Sequence, residues 1–291
     1  MDGARDEGPS LTSGGHSLER ILAGADGSER SLEGVRQAAR LAAITSANLE
    51  IVHVVDTGRP HGDDVERGAE DLLRRAAALA AELGVVADTR ILAGDPHAVL
   101  VGEAGEEEVD LLCLGPDAGL IGAALRIGQV AAHVLREAPC SVLIARRDGA
   151  EFPQRVTCGV DGSDASADTA AFAAGLAAAA NSELRVLHVI PVFRGHDREW
   201  TLADDEPSPA ELEPAVHAAA ARGVRPVREM AMGRPEHALV AAAERSDSDL
   251  LVVGHRGVSG VRRVLLGSVS EYCAHHAACS VLVARFRSAE S

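Results

Sequence analysis

Short runs of Val, Leu and Ile alternate along this chain with Ala-rich stretches of helical spacing. In the C-terminal half the apolar runs fall near residues 155–160, 183–190, 224–230, 249–254 and 280–285. The helical stretches fill 165–180, 209–222, 235–246 and 268–277. Successive positions in the runs are apolar, so both faces of each strand are to be covered. Strands of that kind separated by helices predict a parallel sheet between two helical layers. Ser208-Pro209 predicts a capped helix start, with proline at the first helical position.

The same pattern occurs twice. Ile21 to Ser28, with Asp26-Gly-Ser, matches Val156 to Ser163, with Asp161-Gly-Ser. Val52-His53-Val54 matches Leu187-His188-Val189, and Leu111 to Gly115 matches Leu250 to Gly254. The offset is 135 at the Asp26/Asp161 pair and 139 at the Gly115/Gly254 pair. The second copy therefore carries four extra residues, placed most simply between Pro191 and Pro209, where Trp200 and the acidic run Asp204-Asp-Glu206 stand. An internal repeat of this size means two tandem α/β domains, each a five-stranded doubly wound sheet. The expected boundaries are an acidic, disordered tail over 1–17, a first domain over 18–148 and a second over 153–287. Doubly wound folds hold ligands at the carboxyl ends of the strands, where strand order reverses. Asp161, Val189 and Gly254 all fall at or near such ends.

The most specific local feature is a glycine loop. Gly254-His-Arg-Gly257 follows an apolar strand, and nine residues later Gly267-Ser268 opens a helix. Glycines let a backbone approach an anion closely, and a helix N-terminus offers unpaired N–H groups and partial positive charge. Phosphate is the natural occupant. The bland alternative is a tight strand-to-helix turn that binds nothing. Arg262 and Arg263 either screen phosphate charge or form a solvated loop.

Composition narrows the choices. The 291 residues contain no lysine, so a lysine-bearing phosphate loop, a kinase strand lysine and a Schiff base are all excluded. The net charge of -16 argues against nucleic acid or anionic membrane as a general partner. Aromatic residues make up only 2%, so Ala, Val and Leu must build the cores. The five cysteines lie mostly in apolar runs, which points to reduced thiols in the cytoplasm rather than to disulfides. No apolar stretch is long enough to span a bilayer.

With these residues in view, the second copy resembles a universal stress protein of the ATP-binding kind. That family carries G-x2-G-x9-G-[ST] after its fourth strand and an acidic residue after its first. Gly254, Gly257, Gly267 and Ser268 match the loop, Asp161 the acidic position, and Val189 follows the second-strand histidine. The resemblance implies Rossmann-like domains of the adenine nucleotide alpha hydrolase-like type. It implies that Asp161 and Val189 face adenine and ribose, that Gly254 lies near ribose, and that Gly257, Gly267, Ser268 and Val269 bind the phosphates of ATP. Mg²⁺ is expected to arrive on the nucleotide. The resemblance also implies pairing through the last strand, either within the chain as a pseudo-dimer or again between chains as a homodimer.

The first copy departs from the pattern. Gly115 and Gly128 are kept, but Ala118 stands at the second glycine, Gln129 replaces the Ser, and Asp117 puts an acidic side chain in the loop. The expectation is weak binding or none. Asp26 and Val54 keep the nucleoside side available, so a site for AMP stays open.

Other chemistry is thin. His53 and His188 sit in apolar strands, where a buried, hydrogen-bonded histidine is the ordinary case. His97 and His237 stand at helix starts. Cys273, His275, His276 and Cys279 have residue types that suit zinc, but His133 and Cys140 in the corresponding region of the first copy point to packing instead. There is no G-x-S-x-G elbow and no H-E-x-x-H. The chain reads as a nucleotide-dependent stress sensor or regulator, at most a slow ATP hydrolase. The alternatives are an interaction scaffold without nucleotide and an adenine-nucleotide hydrolase.

Overall fold

Each apolar run becomes a strand. The computed structural model describes residues 17–58, 63–116, 127–146, 151–194, 199–201, 209–255 and 266–286. The tail before residue 17, Ser208, the acidic run 204–206, the loop with Asp117 and Ala118, and the segment holding Gly257, Arg262 and Arg263 lie outside the described residues.

The first half contains β1 (Arg20–Gly24), α1 (Glu29–Thr45), β2 (Asn48–Asp56), α2 (Asp63–Glu82), β3 (Ala87–Gly94), α3 (Pro96–Glu106), β4 (Leu111–Leu114), α4 (Gln129–Glu137) and β5 (Ser141–Ile144). The second contains β6 (Arg155–Val160), α5 (Asp164–Ala180), β7 (Glu183–Arg194), β8 (Glu199–Thr201), α6 (Glu213–Ala220), β9 (Val227–Gly233), α7 (Pro235–Arg245), β10 (Leu250–Gly254), α8 (Ser268–His276) and β11 (Ser280–Ala284). A 3-10 turn, Pro209–Leu212, precedes α6.

Within each half the five long strands are parallel, in the order β3-β2-β1-β4-β5 and β9-β7-β6-β10-β11. Strand order reverses between β1 and β4, and between β6 and β10. The halves join through an antiparallel pairing of β5 with β11, with Leu143 opposite Leu282. One sheet thus runs through the whole molecule, and the last strands pair within the chain.

The alternation of strand side chains divides the core into two layers. Ile21, Ala23, Leu111, Cys158, Leu250 and Leu282 pack under α1, α2, α5 and α6. Leu22, Leu112, Ile144, Leu251, Val253 and Val283 pack under α3, α4, α7 and α8. Both layers cross from one half to the other, so the join is part of the core.

Three details differ from the sequence expectation. The second half adds β8, which pairs antiparallel with the end of β7, so the extra residues form a hairpin beyond the parallel sheet. The helix expected over 209–222 is a 3-10 turn followed by a short α-helix. Pro214 lacks an N–H and would clash inside one continuous helix, so α6 starts at Glu213 and takes proline in its first turn. β9 begins at Val227 rather than at 224.

Candidate functional site

The strand reversal in the second half brings the candidate residues to one edge. Asp161 follows the last residue of β6, and Gly254 is the last residue of β10; β6 and β10 are hydrogen-bonded neighbours. β6 ends at Val160, opposite His188 in β7, so Val189 lies one residue beyond the last pairing with β6; β7 itself does not end there as expected but continues to Arg194, with Val189 still paired to Ala231 of β9. The Val189 side chain is buried in the core under α7 and α8, which leaves only its main chain for a ligand.

Asp161 shapes the turn that enters α5. Its Oδ1 accepts from the Ser163 amide at 3.1 Å and from Ser163 Oγ at 2.6 Å. Ser163 in turn caps α5 by accepting from Ser166 N. The first half repeats this arrangement: Asp26 Oδ1 accepts from Ser28 N at 2.9 Å, and Ser28 caps α1. Burial pushes the Asp26 carboxyl up, but the hydrogen bonds from Ser28 and Ser31 outweigh it and leave the group below the usual carboxylate range. Both carboxylates are thus engaged in the turn that enters their helix.

The stems of the glycine loop are fastened together. Gly267 N–H donates to His255 O at 3.0 Å, and Ser270 Oγ donates to Gly254 O at 2.5 Å. Gly267 is the N-cap of α8 and provides no side chain to cap it, in contrast to Ser28 on α1 and Ser163 on α5. A Cβ on Gly267 would lie 3.3 Å from His255 O, so a side chain there crowds the stem. Ser268 is exposed on the first turn of α8, and Val269 packs against the core.

In the first half, Gly128 is likewise an N-cap without a side-chain cap, and Gln129 opens α4. Gly115 has a packing reason to be glycine: a Cβ would lie 2.2 Å from Arg30 O and 2.6 Å from Ser31 Cα. Val54 lies within β2, facing Leu92 of β3.

The histidines and cysteines go elsewhere. His53 Nδ1 lies 2.7 Å from Ala25 O, and His188 Nδ1 lies 3.1 Å from Val160 O. His237 Nδ1 meets the Tyr272 hydroxyl at 3.0 Å, and His276 stacks on the Tyr272 ring at 3.9 Å. Cys273 and Cys279 are core residues, and among the described residues no three His, Cys, Asp or Glu side chains converge in a metal-binding group. Sequence reasoning missed Glu211, whose Oε2 lies 2.7 Å from His188 Nε2. Nothing in the local pattern marked it, because the contact joins a 3-10 turn to a strand distant in sequence.

The duplication and the α/β fold are matched by comparison with known proteins. The sequence model of the Universal stress protein family matches residues 17–146 and again 153–285. The chain belongs to the universal stress protein family. Universal stress protein Rv2623 of Mycobacterium tuberculosis is 31% identical over 303 aligned positions, covering 94% of this chain and 98% of that protein. Universal stress protein MJ0531 of Methanocaldococcus jannaschii is 33% identical over 146 positions, covering 48% of this chain and 86% of the relative. The crystal structure of a universal stress protein from Archaeoglobus fulgidus superposes with a TM-score of 0.72 at 20% identity, covering 91% of this chain and 98% of that one; it shows the shared tandem fold. Membership places the chain among stress-response proteins. Among its described residues, no helix is long and apolar enough to cross a membrane.

Proposed function

We propose that this tandem universal stress protein binds ATP in its second domain and acts in the cytoplasm as a nucleotide-dependent stress sensor or regulator. The observation that carries the reading is the uncapped start of α8 beside the strand reversal. A helix N-terminus without a side-chain cap, approached by glycine on a stem fastened to β10, offers main-chain donors to an anion. In this reading Gly257, Gly267, Ser268 and Val269 hold the phosphates. Gly254 lies by the ribose, and Asp161 and the main chain of Val189 meet the nucleoside. With no lysine in the chain, the amides and Ser268 do this without an ammonium group. Any Mg²⁺ comes with the nucleotide. The first domain keeps Asp26, Val54, Gly115 and Gly128 but opens α4 with Gln129, and it binds AMP or ATP weakly or not at all.

Titration calorimetry and thermal melting in millimolar Mg-ATP test this. A ligand that binds only the folded chain raises the melting temperature by mass action. Gly267→Val is expected to abolish the shift while the chain stays folded. Absence of both heat and shift in the unaltered protein would overturn the reading.

A further inference from the structure

Glu211 stands on the 3-10 turn Pro209–Leu212, where the second domain departs from the first. His188 Nδ1 faces the Val160 carbonyl, which can only accept, so Nδ1 carries a proton. At 2.7 Å, the pair His188 Nε2–Glu211 Oε2 shares a further proton, and this hydrogen bond fixes the carboxyl group. His188 is buried, whereas the Glu211 side chain is 45% exposed, so one oxygen is pinned while the group stays open at the crevice. Its stem packs on the turn between Asp161 and Ser163: a Cβ on Gly162 would lie 3.6 Å from Glu211 Cβ. Glu211 therefore lies over the carboxyl ends of β6 and β7, beside Asp161.

This makes the crevice polar in a defined direction. Over β6 and β7 stand two carboxyl acceptors, Asp161 and Glu211. Over β10 stands the donor-rich start of α8. Neighbouring strands are about 4.8 Å apart, so the two poles lie roughly one to two strand spacings from each other. A nucleotide has the matching polarity: neutral O–H and N–H donors at the nucleoside end and anionic oxygens at the other. Reversed, it would set phosphate against two carboxyl groups.

We propose that Glu211, held by His188, is a specificity-determining residue of the second-domain site and accepts a hydrogen bond from the nucleoside, from a ribose hydroxyl or the exocyclic amine of the base. The inference rests on the nucleotide reading above. Calorimetry on the full chain separates the two. ATP, 2′,3′-dideoxy-ATP and purine riboside triphosphate are titrated into the unaltered protein and into Glu211→Ala. The expected result is a loss of about tenfold or more in ATP affinity on substitution, the range of a hydrogen bond to a charged group. That loss vanishes for the dideoxy nucleotide if the ribose is the donor, and for the riboside if the amine is. ATP affinity unchanged in the variant, or an equal loss for all three nucleotides, overturns the inference. Should Glu211→Ala fail to fold, Glu211→Met, which keeps the length and lacks an oxygen acceptor, carries the same comparison. If the unaltered protein binds none of the three, the nucleotide reading itself has failed.

Discussion

The guanidinium of Arg146, just past β5, donates to the carbonyl oxygens of Ala277 and Ala274 at the end of α8 in the other domain. Arg285, just past β11, returns the contact to Ala138 and Arg136 at the end of α4. Helix C-termini leave carbonyls without partners and carry partial negative charge, so each domain completes the other's helix. Burial lowers the Arg146 group to about 10, which keeps it charged at neutral pH. Hydroxyls tie the same join: Ser280 Oγ accepts from Arg146 N, and Ser141 Oγ accepts from Arg285 N.

Removing these arginines should loosen the join. Arg146→Ala and Arg285→Ala are each expected to lower stability by about 2 kcal/mol, the scale of charge-assisted hydrogen bonds lost from partly buried carbonyls. Arg136→Ala removes only a half-exposed ion pair to Glu271 and should lose under about 1 kcal/mol. Urea unfolding of the three variants checks the order. The double variant at 146 and 285 should unfold at lower urea than either single variant, still in one step, because the β5–β11 pairing and the shared core layers continue to couple the domains.

Much of this architecture was legible because strands covered on both faces leave an unmistakable mark. Leu111 to Leu114 and Leu250 to Val253 are apolar without a break, and no exposed antiparallel strand reads that way. The caps of α1 and α5, Ser28 and Ser163, were not picked out by the sequence pattern, whose one capped start, Ser208-Pro209, lies partly outside the described residues. The region after β7 was not legible. The β8 hairpin rests on three residues paired across a loop, and Pro214 interrupts an Ala-rich stretch that otherwise reads as one helix. Of the candidate site, Asp161 and Gly254 could be placed from strand ends and Gly267 from a helix start. Glu211 could not, because its meaning comes from His188 on another element. Gly115 reads in sequence only as a retained loop glycine, and its packing against Arg30 is something the sequence alone does not display.

Two glycines should therefore respond in opposite directions. Gly115→Ala forces a Cβ onto backbone atoms of α1 at 2.2 and 2.6 Å. Backbone cannot swing aside as a side chain can, so a loss of about 3 kcal/mol or more is expected, on the scale of overpacked cores. Gly102 lies inside α3 with open space where its Cβ would stand. Gly102→Ala should raise stability by about 0.5–1 kcal/mol, the difference in helix propensity. Thermal melts of the two variants decide both signs.

Asp26 should set part of the acid limb of stability. Its carboxyl is held below the ordinary aspartate value of 3.8 in the folded chain. The folded state therefore binds the proton less readily than the unfolded state. The resulting stabilisation is present above 3.8 and disappears as pH falls through the lower folded value. Asp26→Asn should be less stable than the unaltered chain at neutral pH, and the gap should close in acid. Urea titrations across that range would show a constant gap if Asp26 were only a space-filling turn residue.

The cysteines offer a readout of global opening. All five are buried, and burial pushes the Cys158 and Cys273 thiols up to about 12. Cys113 is driven upward as well, by burial first and by Cys140 beside it. The nucleophile in thiol chemistry is the thiolate, and here both charge and access are denied. At mildly alkaline pH a disulfide reagent should leave the native protein unlabelled, and the slow reaction that does occur should follow the population of the unfolded chain. Rates that rise with urea in step with unfolding would agree. Fast labelling of one or two thiols in the native state would mean that a core layer opens locally, and the thiols in question would show which layer. Cys158 lies in the layer under α1, α2, α5 and α6, and Cys273 and Cys279 lie in the layer under α3, α4, α7 and α8. If Arg146 and Arg285 hold the join, their double variant should expose Cys279, next to β11, well before Cys158.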